Sequence, residues 1–102
     1  MKIARFLFTS LVLLTICQHA GATKRKVLFI GNSYTATNNL PLMVSQVATS
    51  QGDTMTFDSY PPGGYTLQNH FENATTRAKI AAGGWDVVVI QAQSQEPAFP
   101  DF

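Results

Sequence analysis

Two runs of four apolar residues constrain this chain most: Val27-Leu28-Phe29-Ile30 in "KVLFIG" and Val87-Val88-Val89-Ile90 in "WDVVVIQ". The first run reads as a strand covered on both faces, the environment of a parallel sheet, and the second as a further strand. Between them, "DTMTFDSY" alternates Met55, Phe57 and Ser59 with Thr56, Asp58 and Tyr60, predicting a half-buried or edge strand. Two helical stretches separate the three strands. Leu40, Met43, Val44 and Val47 recur at helical spacing, with Asn39 placed to cap, Pro41 in the first turn and Gly52 at the stop. Met43 is read as core packing. From Thr66 onward, Leu67, Phe71, Ala74 and Ala78 predict a second amphipathic helix, ended by Gly83-Gly84. The order β-α-β-α-β predicts right-handed crossovers and a parallel sheet with helices on its faces.

The first segment stands apart. Lys2 and Arg5 precede an apolar stretch from Phe6 to Cys17, and Ala20-Gly21-Ala22 offers a small-x-small cleavage site. That is the layout of a secretory signal peptide over residues 1–22, too short to span a bilayer comfortably. It predicts a secreted or periplasmic protein, with cleavage after Ala22 and no membrane association afterwards. An uncleaved anchor is the competing reading. Ile16, where lipoprotein processing needs a small residue, argues against lipidation at Cys17.

Residues 23–102 contain no Cys, so they predict no disulfide framework despite the exported destination. Five basic side chains (Lys24, Arg25, Lys26, Arg77, Lys79) face six acidic ones (Asp53, Asp58, Glu72, Asp86, Glu96, Asp101), so the +1 of the 102-residue chain comes from the leader. No basic face argues for nucleic acid, and "KRK" reads as a solvated lead-in to the first strand. No metal or organic cofactor is implied. A first turn of Gly-Asn-Ser-Tyr lacks G-x-G-x-x-G, which removes dinucleotide binding. The most apolar strand comes last and is followed only by the Pro-punctuated "SQEPAFPDF". Eighty residues after cleavage is the range where a core is marginal, and a bare final strand exposes an edge. The expectation is an incomplete domain, the N-terminal part of a longer one.

In open α/β sheets, ligands bind beyond the carboxyl ends of the strands. Three segments fall there: "GNSYT" after the first strand, "PPGGYT" after the second and "QAQSQEP" after the third. In this order and on these elements, they resemble the first three blocks of the SGNH (GDSL-type) hydrolases. A subset with Gly-Asn-Ser-Tyr and a Gln-x-Gln-Ser-Gln third block looks closer to this sequence than ordinary members do. The resemblance implies a flavodoxin-like three-layer α/β sandwich with a parallel sheet, of which only the first β-α-β-α-β portion is present. It also implies hydrolysis of a small-molecule or glycan ester, with Ser33 as nucleophile. Gly64, in "GGYTL", would supply an oxyanion N–H. Gln95 would stand where the family has an Asn, carrying the same amide donors on one more methylene.

Physical chemistry is consistent with those roles. A Ser nucleophile needs donors aimed at the developing oxyanion, each worth roughly 3–4 kcal/mol. The N–H groups of Ser33 and Gly64 and the Gln95 amide would make three, and a residue without Cβ admits close approach. The base is missing. In the family it is a His in an Asp-x-x-His block, which these residues lack. His19 lies in the leader. His70 lies six residues beyond Gly64, about 9 Å along a helix, and is expected to be a partly exposed structural histidine. Asn32 either fills a turn or orders the loop beside Ser33. The Asn73-Ala74-Thr75 triplet is read as a chance glycosylation match. This chain alone is expected to be inactive. The rival reading is a non-catalytic exported module that binds a sugar or peptide in the same crevice.

Overall fold

The computed structural model describes residues 21–98. The expected signal peptide therefore lies outside the described residues except for Gly21 and Ala22, as do Cys17 and His19. Strand β1 (Lys24–Ile30) leads to a one-turn helix α1 (Ser33–Ala36), a 3-10 turn (Thr37–Asn39) and helix α2 (Leu40–Ser50). Strand β2 (Thr54–Tyr60), helices α3 (Leu67–Glu72) and α4 (Ala74–Ala82), and strand β3 (Val87–Ile90) follow. The strands form a parallel sheet in the order β2-β1-β3, which makes the protein α/β. Among the described residues, no helix is long and apolar enough to cross a membrane.

The apolar pattern accounts for this order. Val27, Leu28, Phe29 and Ile30 are all buried and form the hydrophobic core, at the centre of the sheet as their unbroken run predicts. Each such side chain removed from water stabilises by about 1.5–3 kcal/mol. Alternating β2 is an edge strand, again as predicted. In the parallel register, Leu28 aligns with Asp58 and Val88, and Ile30 with Tyr60 and Ile90, so these six share one face. Helices α3 and α4 serve that face: the Lys79 ammonium pairs with Asp58 at 2.5 Å, and the ring of His70 meets that of Tyr60 edge-on. Helix α2 runs along β2, where the Ser45 hydroxyl donates to the Met55 carbonyl at 2.9 Å.

Four local expectations need correction. Met43, expected to pack in the core, is 48% exposed, and Leu40, Val44 and Val47 of the same stripe are exposed too. Asn39 stands at the N-cap of α2, but in a left-handed conformation (φ 51°), with no side-chain hydrogen bond to the helix. Asn38 is left-handed too (φ 53°), so the Asn pair serves as a tight turn. The second helix is two helices. Asn73 takes extended geometry (φ −80°, ψ 125°), ends α3, and caps α4 by accepting from the Thr76 N–H at 2.9 Å. Consequently Leu67, Phe71, Ala74 and Ala78 do not form one core-facing stripe. All four are exposed, and the helical residues buried beneath them are His70 and Thr76.

Candidate active site

The site is built at the carboxyl ends of the strands, beginning with the turn that leaves β1. Gly31 and Asn32 are buried, and Ser33 opens α1 with its side chain exposed. Asn32 orders this loop. Its Oδ1 accepts from the Tyr34 N–H at 3.2 Å, and its Nδ2 donates to the Tyr65 carbonyl at 3.1 Å. The first contact caps α1. The second fastens the turn to the loop after β2.

Gly64 lies in that second loop at φ +72°, and a Cβ on it would meet open space. Within these residues, its backbone conformation rather than crowding calls for glycine. With Gly63, Tyr65, Asn69, Glu72 and Asn73 it walls an open polar cleft of about 480 Å³. Helix α3 starts beside it with a reciprocal cap. The Thr66 hydroxyl accepts from the Asn69 N–H, and the Asn69 side chain accepts from the Thr66 N–H.

The loop after β3 folds back on itself. Gln93 N–H donates to Glu96 Oε2 at 2.6 Å, and the Glu96 N–H donates to the Gln93 carbonyl at 3.0 Å. The other Glu96 oxygen accepts from the Leu67 N–H at 2.9 Å, tying the third loop to the first turn of α3. Gln95 is exposed at this tip, its N–H donating to Gln93 Oε1 at 2.6 Å. Nearer the strand, Gln91 Oε1 accepts from both the Asn32 N–H and the Thr35 hydroxyl, each at 2.9 Å.

The three strand-end loops are thus hydrogen-bonded to one another through Asn32, Gln91 and Glu96. The three residues read from the sequence, Ser33, Gly64 and Gln95, lie one on each of these loops and share no hydrogen bond. Among the described residues, the N–H groups of Ser33 and Gly64 and the side-chain amide of Gln95 donate to no protein acceptor. Of the bridging residues, Asn32 was read from the sequence as able to order this loop, and Gln91 and Glu96 were not singled out. Gln91 and Glu96 stood inside the quoted third segment, and their signal was a polar side chain directly after a buried-type strand and a carboxylate within reach of a helix start.

His70 needs the clearest correction. It is 4% exposed rather than partly exposed, and it reaches the strand ends. Its Nε2–H donates to the Gly31 carbonyl at 2.6 Å, because a carbonyl only accepts. In the neutral ring, Nδ1 then accepts from the Thr76 hydroxyl at 2.8 Å. Helical rise gives a distance along the axis alone, whereas the His70 ring packs against Tyr65 and reaches the Gly31 carbonyl. The Tyr60 and Tyr65 rings pack edge-on around the imidazole. With both nitrogens engaged by Gly31 and Thr76, His70 holds the turn before Ser33 and is not placed as its base. Among the described residues, no group of three or more His, Cys, Asp or Glu side chains could hold a metal ion. Comparison of the chain with protein-family models, with curated proteins and with solved structures finds no match.

Proposed function

We propose that this chain carries the nucleophile and oxyanion donors of an exported SGNH-type serine hydrolase acting on small-molecule or glycan acyl esters. The sheet would be the start of a flavodoxin-like three-layer sandwich, and the strand order β2-β1-β3 supports that layering. One observation carries the functional reading. An exposed Ser33 leaves the central strand on a turn hydrogen-bonded to the loops that bear Gly64 and Gln95.

In this reading, Ser33 Oγ adds to the ester carbonyl carbon, and charge develops on the carbonyl oxygen. The N–H groups of Ser33 and Gly64 and the Gln95 amide are the donors for that oxygen. Collapse expels the alcohol and leaves the acyl group on Ser33, from which water releases it. The Ser33 proton must pass through a base to the departing alkoxide. His70 is committed to Gly31 and Thr76, so the base is a histidine of the Asp-x-x-His kind that the described residues do not supply.

A fluorophosphonate probe applied to the protein encoded by the whole gene tests this. Labelling at Ser33 that disappears in Ser33→Ala is the expected result, with hydrolysis of a short-chain acyl ester lost in parallel. The 102-residue chain alone is expected to show no Ser33-dependent turnover. A whole protein that neither labels nor hydrolyses such esters is instead a binding module using the same crevice.

A further inference from the structure

We infer that Gln91 is the positioning residue for Ser33, a side-chain brace that fixes the turn on which the hydroxyl is carried. Its consequence for catalysis rests on the hydrolase reading; the brace itself does not. Asn32 and Thr35 flank Ser33 on either side, both are 2% exposed, and both donate to the same atom, Gln91 Oε1, at 2.9 Å. Two donors converging there identify the facing atom as the amide oxygen. The amide nitrogen donates to the neighbouring Ala92 carbonyl, which fixes the plane of the group. The Gln91 backbone is held as well, its N–H donating to the Ile30 carbonyl at 2.9 Å.

Gly31 shows how closely the brace is packed. A Cβ at this position would lie 2.7 Å from Gln91 Oε1 and closer still to Thr35 Oγ1, so the missing side chain makes room for the carboxamide. This geometry separates the two glutamines of the third loop. Gln91 turns its oxygen under the Ser33 turn and directs an N–H to its own loop, so its carboxamide is engaged in bracing the turn. The amide of exposed Gln95 has no protein acceptor among the described residues.

Removing the Gln91 oxygen leaves the Asn32 N–H without its acceptor inside a buried turn. The direction of the adjacent Ser33 N–H and hydroxyl is then no longer set. A reacting group displaced by ~1 Å loses up to about 100-fold in rate. The experiment uses the whole protein and two readouts: hydrogen exchange at the Asn32 amide, and turnover of a short-chain acyl ester. Gln91→Met keeps the length and removes the acceptor; Gln91→Glu keeps an acceptor oxygen. Gln91→Met is expected to speed Asn32 exchange at least about tenfold, in line with opening of a local hydrogen-bonded unit. It should lower kcat by roughly 10–100-fold with KM unchanged, and Gln91→Glu should recover most of both. Thr35→Val, which removes one donor, gives a smaller change in the same direction and decides the matter if Gln91→Met does not fold.

Native exchange at Asn32 in the folded variant overturns the brace. Faster exchange with unaltered kcat overturns the positioning role. If the unsubstituted protein shows no Ser33-dependent turnover while Gln91→Met still speeds exchange, the brace stands and the hydrolase reading falls.

Discussion

Strands β1 and β3 are equally apolar over four residues and pair one for one, Val27 with Val87 through to Ile30 with Ile90. Their surroundings are opposite. The β1 residues are 0–6% exposed, the β3 residues 36–60%. Residue type therefore does not decide burial here; neighbours do. Among the described residues, β1 has a strand on each side and helices packed nearby, whereas β3 has β1 on one side only. On the face of Ile90, an apolar hollow of about 450 Å³, walled also by Leu67, Phe71 and Ile80, remains open. The difference teaches where the fold's stability is held: in the middle strand, whose carboxyl end also carries Ser33.

Leu28→Ala tests this most severely. With Leu28 fully buried, the cavity should cost about 2–5 kcal/mol, read as a fall in the urea midpoint at constant m. Next comes Gly31→Ala, where crowding against Thr35 and Gln91 should cost about 1–3 kcal/mol on the same assay. Asn73→Ala removes the cap of α4 and should cost about 1 kcal/mol, with helical ellipticity lost in proportion.

The Asp58–Lys79 pair should matter less, because its side chains are 45% and 27% exposed and water screens them. The Lys79 ammonium holds the Asp58 carboxyl below its ordinary 3.8; burial, the next effect, opposes it, and the Ser59 N–H adds a smaller lowering. A carboxylate depressed in the folded state stabilises above its unfolded value and loses that effect as pH falls through the folded one. Asp58→Asn should thus cost about 0.2–1 kcal/mol at pH 7, a gap that closes as pH drops below 3.8.

The smallest effect belongs to the edge. Val88→Thr, at a residue 39% exposed, should stay within about 0.5 kcal/mol. A loss above about 1 kcal/mol, the scale of burying an unpartnered hydroxyl, would mean that β3 is covered in solution. The contrast between the two strands would then disappear.

The order of elements along the chain could be read from the sequence because four-residue apolar runs and a period-two alternation are local signals. Parallel strands then follow from the helical stretches between them, while the register of Val27 against Val87 is a finding of the structure. What escaped depended on local chemistry in competition with periodicity. The spacing of Leu67, Phe71, Ala74 and Ala78 suits one helix, yet the Asn73 side chain binds the Thr76 N–H and resets the axis. An Asn three residues before a Thr with a helix former between was the available signal. His70 was misjudged because axial rise says nothing about where a loop delivers the helix. Of the site, the three loops and the exposed Ser33 could be read, since strand ends of a parallel sheet share an edge. The carboxamide of Gln91 and the carboxylate of Glu96 could not, because their partners lie far away in the chain.

That separation has a consequence in time. Asn32 and Gln91 are 59 residues apart, and Thr35 and Gln91 are 56 apart. Contacts of such span form late, after the loop-closure cost between them has been met. A chain emerging from the ribosome presents its amino-terminal part first. The segment around Ser33 is then synthesised early and takes its final shape only after Gln91 has emerged and β3 has docked. The final geometry of this turn is therefore a late event in the life of each molecule, and a nascent chain halted before residue 91 would carry the serine without it.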